Sequence, residues 1–306
     1  QFVEEDGVAA VVGFTDSDSV LASGPIIQTA GVPFITAGAT SPLLPEQVGD
    51  LFFMACFGDN VQAAAAAEYA FANYGDTAYL LWDEGVEYTT LLAEYFRARY
   101  EELGGTIVLE DNYADDATDF STQITKIRAL AEQPDFYFIS AMPYNVGPVV
   151  LQMRQAGLDG PIVGGDGYDT PDIVSVAGES ANNVFFTTHA LMDSEIGTDG
   201  IKAFIAAYNE AYGHDPENAF AALGYDAVKL LADAIERAGS TDATAIQEAL
   251  LSTEDFPGIT GSITFSEGSH IPQKGVTIIE IVDEQFTLAE EVVPEVVPPA
   301  NPGADM

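Results

Sequence analysis

Four short stretches concentrate the groups that could hold a small polar ligand. Gly13-Phe-Thr-Asp-Ser-Asp-Ser19 sets hydroxyls beside a helix start, where unpaired backbone N–H groups favour an anion. The same residues fit a plain N-cap equally well. Thr36-Ala-Gly-Ala-Thr-Ser41 is small and hydroxyl-rich, so its backbone can approach a ligand closely. Trp82-Asp-Glu-Gly-Val-Glu-Tyr88 offers aromatic surface. Gly164-Gly-Asp-Gly167 puts one carboxylate, Asp166, on a corner that its flanking glycines make flexible. Anion donors, a lone carboxylate and aromatic walls are the parts needed to hold a zwitterion.

Signatures of bond-making chemistry are missing. The chain has no Gly-x-Gly-x-x-Gly turn, no phosphate-cradling loop with Lys, and no Gly-x-Ser-x-Gly elbow. Its three histidines, His189, His214 and His270, are scattered, with no pair at helical spacing for a metal. The single cysteine, Cys56, lies in an apolar run and reads as a small buried hydrophobe. Two acidic clusters, Glu110-Asp111 with Asp115, Asp116 and Asp119, and Asp166 with Asp169 and Asp172, lack the pattern of a calcium loop. Both read as solvated carboxylate faces. No metal and no cofactor is expected.

The stretches that could hold a ligand follow short apolar runs and precede longer periodic segments. Strands are expected at 8–12, 32–36, 51–56, 77–82, 106–110, 135–140, 161–164, 184–188, 262–265 and 276–282. Several are apolar without alternation, as strands covered on both faces are. Helices fall between them. Asp59-Asn-Val-Gln62 has capping-box spacing before an alanine-rich helix over 63–74. Further helices are expected at 87–103, 118–132, 144–156, 200–212, 217–238 and 243–251. Strand–helix alternation predicts an α/β fold with doubly wound parallel sheets, whose ligands bind beyond the carboxyl ends of the strands. The first seven residues read as the end of a helix closing on Gly7, so a preceding segment, including any signal sequence, is expected. The Pro-rich stretch over 291–306 reads as an extended, mostly disordered tail.

Composition narrows the partners. The 306 residues suit two domains of ordinary size. Apolar residues make up 47% and aromatic ones 10%, enough for real cores. Forty-nine acidic residues against nine basic ones leave a net charge of −40, which repels phosphate backbones and anionic lipid. Nucleic-acid binding is excluded on that ground. No apolar run reaches the roughly 18 residues of a membrane span. One cysteine permits no intrachain disulfide.

Taken in order, several motifs are recognisable: Asp6-Gly-Val-Ala-Ala-Val-Val-Gly13, Gly31-Val-Pro-Phe-Ile-Thr-Ala-Gly-Ala-Thr40, Asp119-Phe-Ser-Thr-Gln-Ile-Thr-Lys-Ile127, Gln155-Ala-Gly-Leu158, Gly164-Gly-Asp-Gly167 and Gly224-Tyr-Asp-Ala-Val-Lys229. Together, from the first residue to about Glu290, they resemble the branched-chain amino-acid-binding proteins of bacterial ABC importers, with the type I periplasmic-binding fold. That family begins with a β-α-β unit absent from this chain. The resemblance implies two discontinuous lobes: 1–57 with 191–272, and 58–190 with 273–290. Crossings are expected near 57–59, 188–191 and 272–276, and a hinge between the lobes. It implies a small amino acid, branched-chain or related, bound in the cleft between them. By the same resemblance Ser17 meets its carboxylate, the second loop contributes a backbone carbonyl at Gly38 and the Thr40 side chain with Ala39 between them, and Asp166 meets its ammonium, while Tyr88, Met142 and Phe220 line the cleft. Phe220 and Met142 stand where the family carries tyrosines, and Asp166 where it carries the longer Glu. The implied partners are the membrane subunits of an ABC permease. The implied state is a monomer outside the cytoplasmic membrane, periplasmic or at the cell surface, with no membrane insertion of its own. A second reading keeps the fold but makes it the ligand-sensing domain of a receptor or regulator. An α/β enzyme is disfavoured, because no nucleophile–base pair or cofactor motif is present.

The charge generates an expectation of its own. At 0.15 M salt the screening length is about 8 Å and at 1 M about 3 Å. Carboxylates spread along the helices should therefore repel strongly in dilute buffer and weakly in brine. The melting temperature should climb steeply from dilute buffer to molar KCl, as calorimetry would show. If the acidic surface instead steers a cationic ligand, the ligand on-rate falls with salt while the unliganded melting temperature stays flat.

Overall fold

The uninterrupted apolar runs become strands covered on both faces. In the computed structural model, which describes residues 2–114, 117–266 and 268–301, no residue of Phe34–Thr36, Phe52–Met54, Phe136–Ser140 or Val184–Thr188 is exposed. Asp115 and Asp116 of the first acidic cluster, and residues 302–306 of the expected tail, lie outside the described residues. The chain divides into two units, Gln1–Gly58 with Met192–Gly275 and Asp59–Leu191 with Val276–Met306.

In the first unit, Val11–Gly13, Phe34–Thr36 and Phe52–Met54 form a parallel sheet in that order. Parallel pairing brings the loops after all three strands to one edge, and Gly13–Ser17 and Ala37–Ser41 are two of them. Helices Ser17–Thr29 and Ala219–Ala238 contribute Val20, Leu223 and Leu230 to a core with Phe34, Phe52 and Phe53. Helices Asp199–Tyr212 and Ala243–Leu251 and a small antiparallel sheet of Phe256–Gly258, Gly261–Phe265 and Pro272–Gln273 complete the unit. That last strand corrects an expected boundary. Pro272 and Gln273 pair with Phe265 and Thr264, so the chain stays with the first unit to Gly275 rather than leaving at 272.

The second unit is a doubly wound α/β sheet of seven strands. Its order runs Gln285–Val292, Val276–Val282, Val184–Thr188, Ile162–Gly164, Phe136–Ser140, Thr77–Asp83, Thr106–Tyr113. The last five are parallel, and the first two are an antiparallel hairpin added at one edge. Alternate residues feed two cores: Tyr79, Leu81, Tyr137 and Ile139 face one set of helices, and Ala78, Leu80, Phe136 and Phe138 the other. Ala63, Ala66, Ala67 and Ala70 are buried on the second face. There Phe96 stacks on Phe138 with ring centres 3.7 Å apart.

Sequence reading missed the hairpin's outer strand, Gln285–Val292, because its residues alternate weakly and carry two glutamates. Its two-residue turn, Asp283–Glu284, has positive φ at both positions, the geometry usually signalled by Asn-Gly. The Pro-rich segment that follows is extended but not loose through Ala300. Asn60 Nδ2 donates to Pro298 O at 2.8 Å, and the Tyr95 hydroxyl donates to Ala300 O. Backbone N–H groups of Glu295 and Val296 donate to Glu68, itself paired with Arg99 at 2.6 Å. Side chains of two helices thus meet backbone groups that a proline-rich strip cannot pair by itself.

One buried charge in the first unit makes stability depend on pH. Lys274 Nζ donates to Thr260 Oγ1 at 2.6 Å and Ala55 O at 3.2 Å, and Thr260 Oγ1 donates to Asp226 Oδ2 at 2.6 Å. Burial lowers the Lys274 ammonium from 10.5 to about 8, against the pull of Asp226. An unfolded lysine keeps its proton up to its ordinary value, so between these limits the unfolded chain binds more protons and stability rises with pH. The full span is worth about 3 kcal/mol. The melting temperature of the native protein should rise relative to Lys274→Met between pH 7.5 and 9.5. A difference that stays constant over that window contradicts the burial.

Candidate functional site

The first unit gathers five of the expected residues: Ser17, Gly38, Ala39, Thr40 and Phe220. Asp16, in extended conformation, caps the Ser17–Thr29 helix, its Oδ1 accepting from Ser19 N at 2.7 Å. The alternative between anion site and plain N-cap is therefore decided in part: a carboxylate of the chain itself already occupies one helix N–H. Ser17 is buried, and its Oγ accepts from Ser41 N at 3.3 Å, joining the first loop to the second. Because that oxygen accepts here, its own proton is what the hydroxyl can offer to a bound carboxylate.

Thr36 stitches the same loops together. Its hydroxyl donates to Phe14 O at 2.9 Å and accepts from Ala39 N at 3.0 Å. Phe14, which no sequence signal marked, has φ +58, a conformation held by this contact and by edge-on packing against Phe34. Gly38 is required by close approach: a Cβ there would lie 2.4 Å from Phe220 Cδ1. Phe220 thus covers the second loop, whose Ala39 and Thr40 are buried. Cys56 is buried as expected, with Sγ 3.3 Å from Ala39 O.

Tyr88, Met142 and Asp166 belong to the second unit. The strands Thr77–Asp83, Phe136–Ser140, Ile162–Gly164 and Val184–Thr188 are neighbours, so the loops at their carboxyl ends lie side by side. Tyr88 opens the helix after the first, Met142 precedes the helix after the second, and Asp166 follows the third. His189 directly follows the fourth. Asp166 is only 2% exposed and its carboxylate is held on both oxygens. Oδ1 accepts from Tyr88 OH at 2.7 Å and Gln62 Nε2 at 2.9 Å, and Oδ2 lies 3.2 Å from His189 Nε2. Tyr88 OH in turn accepts from Gly167 N at 3.0 Å. Burial, then the charges of Asp166 and Asp59, pushes the Tyr88 hydroxyl far above its ordinary pKa, so it remains a donor.

Three expectations are corrected by this geometry. The glycines around Asp166 do not make a flexible corner. None of Gly164, Gly165 and Gly167 has positive φ. Instead a Cβ would lie 2.4 Å from Leu92 at Gly165 and 2.5 Å from Ala141 O at Gly167, so they permit close packing. Second, Asp166 and Asp169 are not solvated: both are buried, and Asp169 Oδ2 accepts from Thr188 Oγ1 at 2.6 Å, leaving only Asp172 exposed. Third, Asp59-Asn-Val-Gln62 is not a capping box. The helix begins at Asp59 itself, and Gln62 turns its amide into the sheet edge towards Asp166. Gln62 and His189 were missed as site residues because strand order, not sequence proximity, brings them to Asp166.

Among the described residues no group of three or more His, Cys, Asp or Glu could hold a metal, and no helix is long and apolar enough to cross a membrane. Residues 1–285 match the periplasmic binding protein family. A leucine-, isoleucine-, valine-, threonine- and alanine-binding protein of Pseudomonas aeruginosa is 27% identical over 278 residues, covering 91% of this chain and 73% of that one. A solved leucine-binding protein of Thermotoga maritima is 31% identical with a TM-score of 0.87, covering 96% of this chain and 82% of that chain. A branched-chain amino acid transporter substrate-binding protein of Streptococcus pneumoniae, solved with isoleucine, is 31% identical with a TM-score of 0.86 and the same coverage.

Proposed function

The chain belongs to the periplasmic binding protein family, and on that premise we propose that this solute-binding protein of an ABC importer, which is not an enzyme, takes a branched-chain or closely related amino acid. The observation that carries the reading is Asp166: a carboxylate buried at the carboxyl edge of a parallel sheet, where Tyr88 and Gln62 donate to one oxygen and His189 Nε2 lies 3.2 Å from the other. A charge is expensive to bury, and an acidic group kept at a ligand-binding edge suits a cationic partner. An α-ammonium is that partner here. The hydroxyls of Ser17 and Thr40 meet the ligand's polar end, beside the backbone at Gly38 and Ala39. Tyr88, Met142 and Phe220 meet the side chain.

Capture in this reading is binding alone. A ligand that contacts both units favours whichever arrangement lets it do so, by its difference in affinity for the two arrangements. The protein then works outside the cytoplasmic membrane, periplasmic or at the cell surface, as a monomer that delivers its ligand to permease subunits in the membrane.

Thermal-shift screening of L-leucine, L-isoleucine, L-valine and L-alanine should show a raised melting temperature, since a ligand binding only the folded state must stabilise it. Asp166→Asn should weaken binding of the accepted amino acid at least about tenfold, about 1.4 kcal/mol, by titration calorimetry. Because Asp166 accepts from three side chains, the variant should also lose some stability while circular dichroism shows it folded. Native affinity in a folded Asp166→Asn protein would remove the reading.

Ser17→Ala and Thr40→Ala should weaken every accepted amino acid by a similar factor, since both residues would touch only the atoms that amino acids share. Substituting Tyr88 or Phe220 should instead reorder the ligands. A changed rank order in the Ser17 or Thr40 variant would contradict the assignment.

A further inference from the structure

Gln62 is the fourth residue of the Asp59–Asn73 helix and is fully buried. Its carboxamide fills every hydrogen-bonding position it has. Nε2 donates to Asp59 Oδ1 at 2.8 Å and to Asp166 Oδ1 at 2.9 Å. Oε1 accepts from Asp166 N at 3.0 Å and from Thr187 Oγ1 at 2.7 Å. A backbone N–H can only donate, so Asp166 N fixes which end of the amide is oxygen. The other end then presents its two protons to two carboxylates.

One side chain therefore grips Asp166 twice, at the backbone and at the carboxylate, and ties it to the Val184–Thr188 strand through Thr187. It also lies between two buried carboxylates, Asp59 and Asp166, giving each a donor where like charges would otherwise face each other. Filling the space between helix and sheet needs only volume, which a methionine would supply. Holding one loop residue by both its backbone and its carboxylate does more: it sets the direction in which that carboxylate points.

We propose that Gln62 is a positioning residue for ligand binding, holding the Asp166 carboxylate in the orientation that receives the ligand's ammonium. This rests on the reading of Asp166 as the ammonium acceptor. Gln62 itself touches no ligand in this account and acts through Asp166.

The test is a double-mutant cycle on the full chain, with L-leucine as probe and Gln62→Met, Asp166→Asn and the double variant as proteins. Titration calorimetry gives each affinity, and the unliganded melting temperature of each variant is measured alongside. Gln62→Met should weaken L-leucine about tenfold in the native background and less than twofold once Asp166 is Asn, whatever it does to the melting temperature. A loss of equal size in both backgrounds would show a merely structural role and overturn the inference, as would native affinity in Gln62→Met. Should Gln62→Met not fold, Thr187→Val removes one anchor of the amide without touching Asp166. It should give a loss of about threefold that likewise vanishes beside Asp166→Asn, and an equal loss in both backgrounds overturns the inference. An Asp166→Asn protein that binds L-leucine normally, or a native protein that binds none of L-leucine, L-isoleucine, L-valine and L-alanine, defeats the reading beneath as well. An effective Asp166→Asn with an inert or additive Gln62→Met defeats this inference alone.

Discussion

A carboxylate shut away from water must be hydrogen-bonded, and the second unit is arranged around that requirement at Asp166. Its oxygens draw partners from three places: Gln62 from the start of one helix, Tyr88 from the start of another, and His189 from just beyond a strand. Those partners can converge only if Ile162–Gly164 lies beside Val184–Thr188 in parallel register, with Gly164 opposite Phe186. Convergence at that distance leaves no room for side chains at Gly165 and Gly167, where a Cβ would meet Leu92 or Ala141 O. Sheet order, glycine placement and the burial of Gln62 together satisfy this one charge.

The second constraint is the scarcity of positive charge. Several of the nine basic residues face inward rather than neutralise the acidic surface. Arg154 donates to the carbonyls of Leu158 and Gly160, and Lys274 to Ala55 O. Arg99 holds Glu68, which in turn receives two backbone N–H groups of the C-terminal strip. These cations close loops and segment ends in the interior, where a cation bonded to carbonyls gains more than one at a solvated surface. The outer carboxylates are left to repel one another, screened mainly by dissolved salt.

Sequence periodicity determined the fold class and most of its elements because it reports burial directly. Runs such as Phe136–Ser140 and Val184–Thr188 are mostly apolar and buried throughout, since helices cover both of their faces, and the strand–helix rhythm requires parallel pairing. It failed where burial and pattern part company. Gln285–Val292 is a charged edge strand with a turn lacking the usual residues, and Pro272–Gln273 is too short to carry a pattern.

The candidate site divides along the same line. Ser17, Gly38, Ala39, Thr40, Tyr88 and Asp166 lie in loops that their residue types single out, whereas their roles, and Met142 and Phe220 altogether, were named only through the family resemblance. Gln62 and His189 were named by neither. One resembled part of a helix cap and the other an isolated histidine, because 104 and 23 residues of chain separate them from Asp166. Likewise, the glycines beside Asp166 read as flexible and the cluster around it as solvated. One sequence determines which residues occur beside which others along the chain. Which of them must share a buried charge is decided by strand order, and that exists only in the folded sheet.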